Sequence, residues 1–248
     1  MPAIKASSRI VTITAGIRGA SFGAALRPNT SVENPVAASA WYLTTGLVAG
    51  DVVRAYCTFG AADYAASLVN LNNPGTGDAD GSVSPPTWNA ADGWIFDGLS
   101  QYLDTGAEPA STWSMIIRFT GFASPNRFIF GVGNAITSHY YSIQPVTDGN
   151  HYYTVGSGYV PIAGDLTSGI LGVSQYQGYK NGLPDGDPKG SDAWVVPGDG
   201  LTILIGCVNW AGDSPAYFSE VNVQAFALYN KPLSDAQMLA TMTAMAAL

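Results

Sequence analysis

"GWIFDGLSQYLDTG", residues 93–106, sets two apolar runs on either side of an Asp-Gly pair. Trp94 and Phe96 alternate ahead of Asp97-Gly98, Tyr102 and Leu103 follow it, and a second Asp-x-Gly closes the stretch at 104–106. Side chains that alternate with a period of two mark a strand, and glycine supplies the positive φ that a tight corner demands. The stretch predicts two short strands joined by a hairpin turn.

The rest of the chain repeats this arrangement. From Val52 onward, turn segments such as "NNPGTGDADG", "GFASPN", "TDGN" and "KNGLPDGDPKG" recur at short intervals. Strand-length runs lie between them, among them "SMIIRFTGF", "RFIFGVGN", "HYYTVGSG", "LTILIGCVNW" and "VNVQAFALYN". Charged residues make up 11% of 248, with 29 Gly and 15 Pro, which suits many short strands rather than helices with solvated faces. The expectation is an all-β jelly-roll sandwich with "SMIIRF", "LTILIG" and "VNVQAFAL" inside. Only "PLSDAQMLATMTAMAAL" reads as a long helix: Ser234 caps it, Gln237 reaches back to the Ser234 amide, and Leu233 with Met238 forms the hydrophobic staple. Its methionines predict packing over an end or edge of the sandwich.

Residues 1–51 have a different composition, rich in Ala, Ser, Thr and Val, with Glu33 as the one acid before Asp51. Two strand-like runs, "RIVTITAGI" and "AWYLTTGLV", predict an N-terminal arm or accessory hairpin ahead of a main domain at 52–248. An isolated hairpin is marginal in water, so the arm (residues 1–50) is expected to clasp other protein subunits. Its first run alternates with Thr and meets Arg18 early, so it reads as a strand rather than a secretion signal.

Several of these segments, in order, resemble the laminin G-like members of the concanavalin A-like lectin/glucanase superfamily. "GWIFDGLSQYLDTG" is similar to that group's F-x-G-x-x-x-Y-L strand pair, and "WSMIIRF" to the strand after it. "YQGYKNGLP" is similar to its Y-x-N-G hairpin, and "VNVQAFALYNKPLSDAQM" to its closing strand and helix. The resemblance spans roughly residues 52–245. It implies a concanavalin A-like jelly roll, with Trp94 and Phe96 on an inner strand, Asp97-Gly98 at the corner, and function carried elsewhere.

A formal charge of −8 with no basic cluster argues against nucleic acid, which is held by concentrated positive charge. No run is long enough to span a membrane as a helix. The superfamily's glucanases place two glutamates on one strand, whereas Glu33, Glu108 and Glu220 are isolated here. His139 and His151 fit no helical zinc motif, and no phosphate loop or nucleophile elbow is present. No catalytic set and no required cofactor is expected. Calcium is the one metal with candidates, Asp78 and Asp80 in "GDADG" and Asp185 and Asp187 in "DGDP", against the alternative of plain solvated turns. Cys57 and Cys207 are either bridged across neighbouring strands or two buried thiols.

The functional candidate is "HYYSIQPVTDGNHYYTV". A two-residue turn at Asp148-Gly149 sets Val146 opposite His151 and Gln144 opposite Tyr153, which gathers Tyr140, Gln144, His151 and Tyr153 on one glycan-contacting face. Cross-strand aromatic pairing for stability is the competing reading. Together these features predict a non-catalytic structural and adhesion subunit at a virion surface or on an extracellular appendage, with a secreted carbohydrate-binding module or a glycan hydrolase as alternatives.

Overall fold

The computed structural model describes residues 40–134, 139–156, 159–186, 200–211 and 215–248. In chain order its strands are β1 (Val52–Cys57), β2 (Thr87–Asn89), β3 (Gly93–Asp97), β4 (Leu103–Asp104), β5 (Ser114–Thr120), β6 (Phe130–Asn134), β7 (His139–Thr147) and β8 (Asn150–Gly156). They continue as β9 (Tyr159–Ala163), β10 (Gly169–Ser174), β11 (Gln177–Lys180), β12 (Leu183–Pro184), β13 (Leu204–Ile205), β14 (Asn209–Trp210) and β15 (Glu220–Tyr229). A short helix α1 (Tyr64–Ser67) follows β1, and α2 (Asp235–Ala246) closes the chain.

The strands form two sheets. The first runs β12-β11-β10-β5-β15-β3-β2, with β1 added beside β15; the second runs β4-β13-β6-β7-β8-β9, with β14 added beside β6. Every pairing is antiparallel except β14 with β6. The protein is an all-β sandwich with a C-terminal helix.

β15 is the central strand because its residues are apolar on both faces. Val221, Val223, Phe226 and Leu228 turn into the space between the sheets, while Ala225, Ala227 and Tyr229 face the opposite layer. A bulge at Gln224 switches that alternation midway along the strand. Phe226 is fully buried, with its ring stacked near Tyr56 and edge-on to Phe130 of the second sheet, so one side chain joins both sheets. Burial of such a ring stabilises by roughly 1.5–3 kcal/mol.

The opening stretch makes an arch, not the expected hairpin. β3 pairs with β2 and β15 in the first sheet, whereas β4 pairs with β13 in the second. The Asp97-Gly98 corner therefore carries the chain from one sheet to the other. Asp97 Oδ1 accepts from the amides of Leu99, Ser100 and Gln101, and Gly98 has φ +71°. Burial raises the Asp97 pKa, but the main-chain donors outweigh it and hold the carboxyl below its ordinary value. Trp94, Phe96 and Leu103 fill the interior, as an arch between packed sheets requires.

α2 has the predicted capping box, with Ser234 and Gln237 in reciprocal hydrogen bonds. It covers a face rather than an end: Met238, Met242 and Met245 pack with Ile116, Ile170 and Tyr229 on the outer side of the first sheet. Arg118 donates to the Met245 carbonyl at 2.8 Å, placing a cation at the negative end of the helix dipole.

The run at residues 40–48 forms turns, not a strand. Trp41 and Tyr42 are consecutive and both buried against the α2 layer, which an alternating strand with one solvated face does not permit. Thr44 and Thr241 share a hydroxyl hydrogen bond of 2.7 Å, which fastens the turn to the helix. "RIVTITAGI" lies outside the described residues.

Candidate functional site

A pocket of about 300 Å³ opens on the outer face of the second sheet, lined by Asn126, Phe128, Tyr140, Gln144, Thr154, Trp210 and Tyr217. Beside it, β6 carries two glycines on its outer face, alternating with the inward Phe130 and Val132. In β6, Gly131 sits beside Ser142, and Gly133 sits between Tyr140 of β7 and Trp210 of β14. A Cβ at Gly133 would come within 2.7 Å of the Tyr140 ring and 3.3 Å of Trp210. Without it the two rings close over the strand, their centroids 5.4 Å apart at 46°.

Tyr217 extends the aromatic wall, 5.5 Å from Trp210 and 5.8 Å from Phe128 between ring centroids. Its φ is +55°, an unfavourable backbone for a bulky residue, and its side chain remains 46% exposed. Asn126, also left-handed at φ +57°, tolerates that conformation more readily. Gln144, Asn126 and Thr154 add amide and hydroxyl groups to the rings. Among the described residues no carboxylate lines it. Burial and then the neighbouring Tyr217 phenol push the Tyr140 pKa up.

Of the four face residues named from sequence, Tyr140 and Gln144 line this pocket, and His151 and Tyr153 do not. The Asp148-Gly149 turn forms with both φ angles positive, 50° and 80°. A bulge between Gln144 and Thr147 then shifts the register, so that Gln144 opposes Tyr152 and Ile143 opposes Tyr153. Pro145 has no N–H to give the ladder, and one extra residue there turns His151 and Tyr153 to the inner face.

Inside the sandwich these two residues meet Asp185, which the sequence placed among the calcium candidates. Asp185 Oδ2 lies 2.7 Å from His151 Nε2 and accepts from the Tyr153 hydroxyl at 2.8 Å. His151 Nδ1 is 2.7 Å from the Gly164 carbonyl, and the Tyr153 hydroxyl also reaches the Tyr179 carbonyl at 3.0 Å. Burial first, and then the Asp185 charge, drive the Tyr153 pKa far up. This is a structural clasp between sheets. A tyrosine paired with a carboxylate resembles a nucleophile and its base, but His151 is fully buried and Tyr153 is 5% exposed, so no sugar reaches them.

The remaining calcium candidates serve their own loops. Asp78 accepts from the amides of Asn70 and Gly75, and Asp80 from that of Ser82. Asp187 lies outside the described residues. Among the described residues no three acidic, His or Cys side chains converge as a metal site. Cys57 and Cys207 are free thiols.

Phe128, Trp210, Tyr217 and Asn126 were not singled out from sequence. Trp210 opens the turn-like "WAGDSP" and Tyr217 follows it, and only the sheet brings them beside β7. One indication was present: the alternate glycines of "FGVGN", since glycine inside a strand marks a close approach.

No family model and no curated protein sequence matches the chain. Among solved structures it is similar to a mutant of Trypanosoma rangeli sialidase displaying trans-sialidase activity, at 14% identity and a TM-score of 0.53, over 80% of this chain and 34% of that one. It is also similar to T. rangeli sialidase in complex with 2,3-difluorosialic acid as a covalent intermediate, at 15% identity and a TM-score of 0.53, over 80% and 33% of the two chains. A third likeness, to the same sialidase with the inhibitor DANA, has a TM-score of 0.50 at 15% identity, over 77% and 32%. The chain spans about a third of the length of these enzymes. The likeness supports the β-sandwich fold. It also corrects the expectation of an adhesion subunit on a virion or appendage, because the structures that share the fold are sialidases, and that reading is set aside.

Proposed function

We propose that this chain is a glycan-binding β-sandwich module of the laminin G-like kind, which holds a sugar in the outer-face pocket without cleaving it. The observation that carries the reading is the cluster of Tyr140, Trp210, Tyr217 and Phe128 around polar Asn126, Gln144 and Thr154. A sugar ring has an apolar face and an equatorial rim of hydroxyls. Aromatic planes beside amides and hydroxyls match both, and pockets with few placed polar groups on an apolar wall are the usual form of small-ligand sites.

The described lining supports binding without hydrolysis. Common glycosidases flank the scissile bond with two carboxyls, and those with a tyrosine nucleophile still need a base beside it. Among the described residues the pocket lining supplies tyrosines and no carboxylate. The test is a glycan array with the full chain beside Trp210→Ala. Loss of a central aromatic anchor costs about 2 kcal/mol or more, roughly a thirtyfold weakening. Equal binding by both proteins, or release of free sugar by the wild type, would refute the reading.

Tyr217→Gly separates function from stability. Glycine relieves a left-handed backbone costing about 1–2 kcal/mol, which offsets the lost contacts of a half-exposed ring. Urea unfolding should move by less than about 1 kcal/mol, while affinity for the array-selected glycan falls about tenfold. A large loss of stability would show that Tyr217 is there for packing.

A further inference from the structure

Arg127 stands at the pocket rim, between the lining residues Asn126 and Phe128, with its guanidinium carbon 5.7 Å from the Tyr217 ring centroid. Its Nη1 donates to the adjacent Asn126 carbonyl at 3.1 Å. The residue is half-buried, and its side chain forms no ion pair among the described residues.

The other described arginines have structural roles. Arg54 donates to the carbonyls of Thr105, Val53 and Gly106, and Arg118 to those of Met245 and Ala246. Arg127 differs: among the described residues its side chain has one hydrogen-bond acceptor, the Asn126 carbonyl, and it stands beside an aromatic pocket. Acids outnumber bases 18 to 10 in the chain, yet among the described residues none is paired with it.

A guanidinium presents five N–H donors in a planar fork, and a carboxylate accepts two of them at once. The contact with the Tyr217 ring holds the guanidinium beside the aromatic wall, where a carboxylate bound against that wall can reach its donors. We infer that the pocket selects an acidic sugar, a pyranose whose carboxylate lies on Arg127 while its ring rests on Tyr140 and Trp210. The inference rests on the glycan-binding reading and adds the charge class of the ligand. The chain's net charge of −8 opposes an anion at long range, but charges farther than about 8 Å are screened at physiological salt. At contact the local guanidinium decides.

Uronates and sialates share this chemistry, so the probes are an oligogalacturonate and sialyllactose, each titrated calorimetrically beside its methyl ester. Esterification removes the charge and keeps the ring. At least one acid should bind the full chain about tenfold more tightly than its ester, the value of one charge-assisted hydrogen bond. Arg127→Gln should bring that acid to the affinity of its ester while the ester changes less than about twofold, and Arg127→Lys should restore part of the preference. Trp210→Ala should weaken acid and ester alike.

Equal affinity of acids and esters for the wild type, or binding of neutral glycans only, overturns the inference and leaves glycan binding standing. An acid preference that survives in Arg127→Gln overturns the role of that residue. Absence of any sugar binding by the wild type removes both the inference and the reading beneath it.

Discussion

Phe226→Asp is expected to abolish cooperative folding. Phe226 is fully buried at the middle of β15, the one strand that pairs with β1, β3 and β5. The substitution removes roughly 1.5–3 kcal/mol of apolar burial and the ring contacts to Tyr56 and Phe130, each worth about 0.5–1.5 kcal/mol. It also places a carboxylate where the structure provides no cation, and an unpaired buried charge costs more than the lost ring. A domain of this kind has about 5–15 kcal/mol of net stability, so the sum exhausts it. Circular dichroism with urea titration is the check, with Phe226→Leu as a folded control. A soluble Phe226→Asp chain with a sharp unfolding transition would show that β15 is not the centre of the sheet.

Asp185→Ala is the second large effect. The carboxylate is the shared partner of His151 and Tyr153, on a chain segment that leaves β12. Removing it strands an imidazole that is 1% exposed and a buried phenol. Breaking a buried pair on one side costs about 3–5 kcal/mol, and the 17% exposure of the Asp185 side chain places this case near the lower end. Urea unfolding should therefore show about 3 kcal/mol of destabilisation, with glycan affinity unchanged because the cluster faces away from the pocket. A stability loss below about 1 kcal/mol would mean that water replaces the carboxylate freely, and the clasp between sheets would be refuted.

The sequence made the sandwich legible because period-two alternation, turn residues and the Ser234–Gln237 box are local signals that tertiary context did not override. The arch at Asp97-Gly98 was read as a hairpin because both need the same Asp-Gly chemistry, and only pairing to β15 or β13 separates them. Half of the candidate face was displaced by one residue at the Pro145 bulge, since a single extra residue exchanges the two sides of a strand. The aromatic wall was hidden for another reason. Phe128, Tyr140, Trp210 and Tyr217 come from separate stretches of the chain, and their meeting depends on the parallel β14–β6 pairing, which no local pattern announces. Asp185 was noticed for its Gly-rich turn, but its partners were fixed by the same register that turned His151 and Tyr153 inward.

The location of the sugar is the most direct measurement of all. Chemical-shift mapping of the full, isotope-labelled chain with its best glycan from the array should give perturbations centred on Tyr140, Gln144, Trp210 and Tyr217, with Arg127 at their edge. Resonances of His151 and Tyr153, on the inner face, should move little. Perturbations concentrated around the Asp78 and Asp80 loops or the α2 layer, with those four pocket residues unmoved, would contradict the assignment of this face as the binding site.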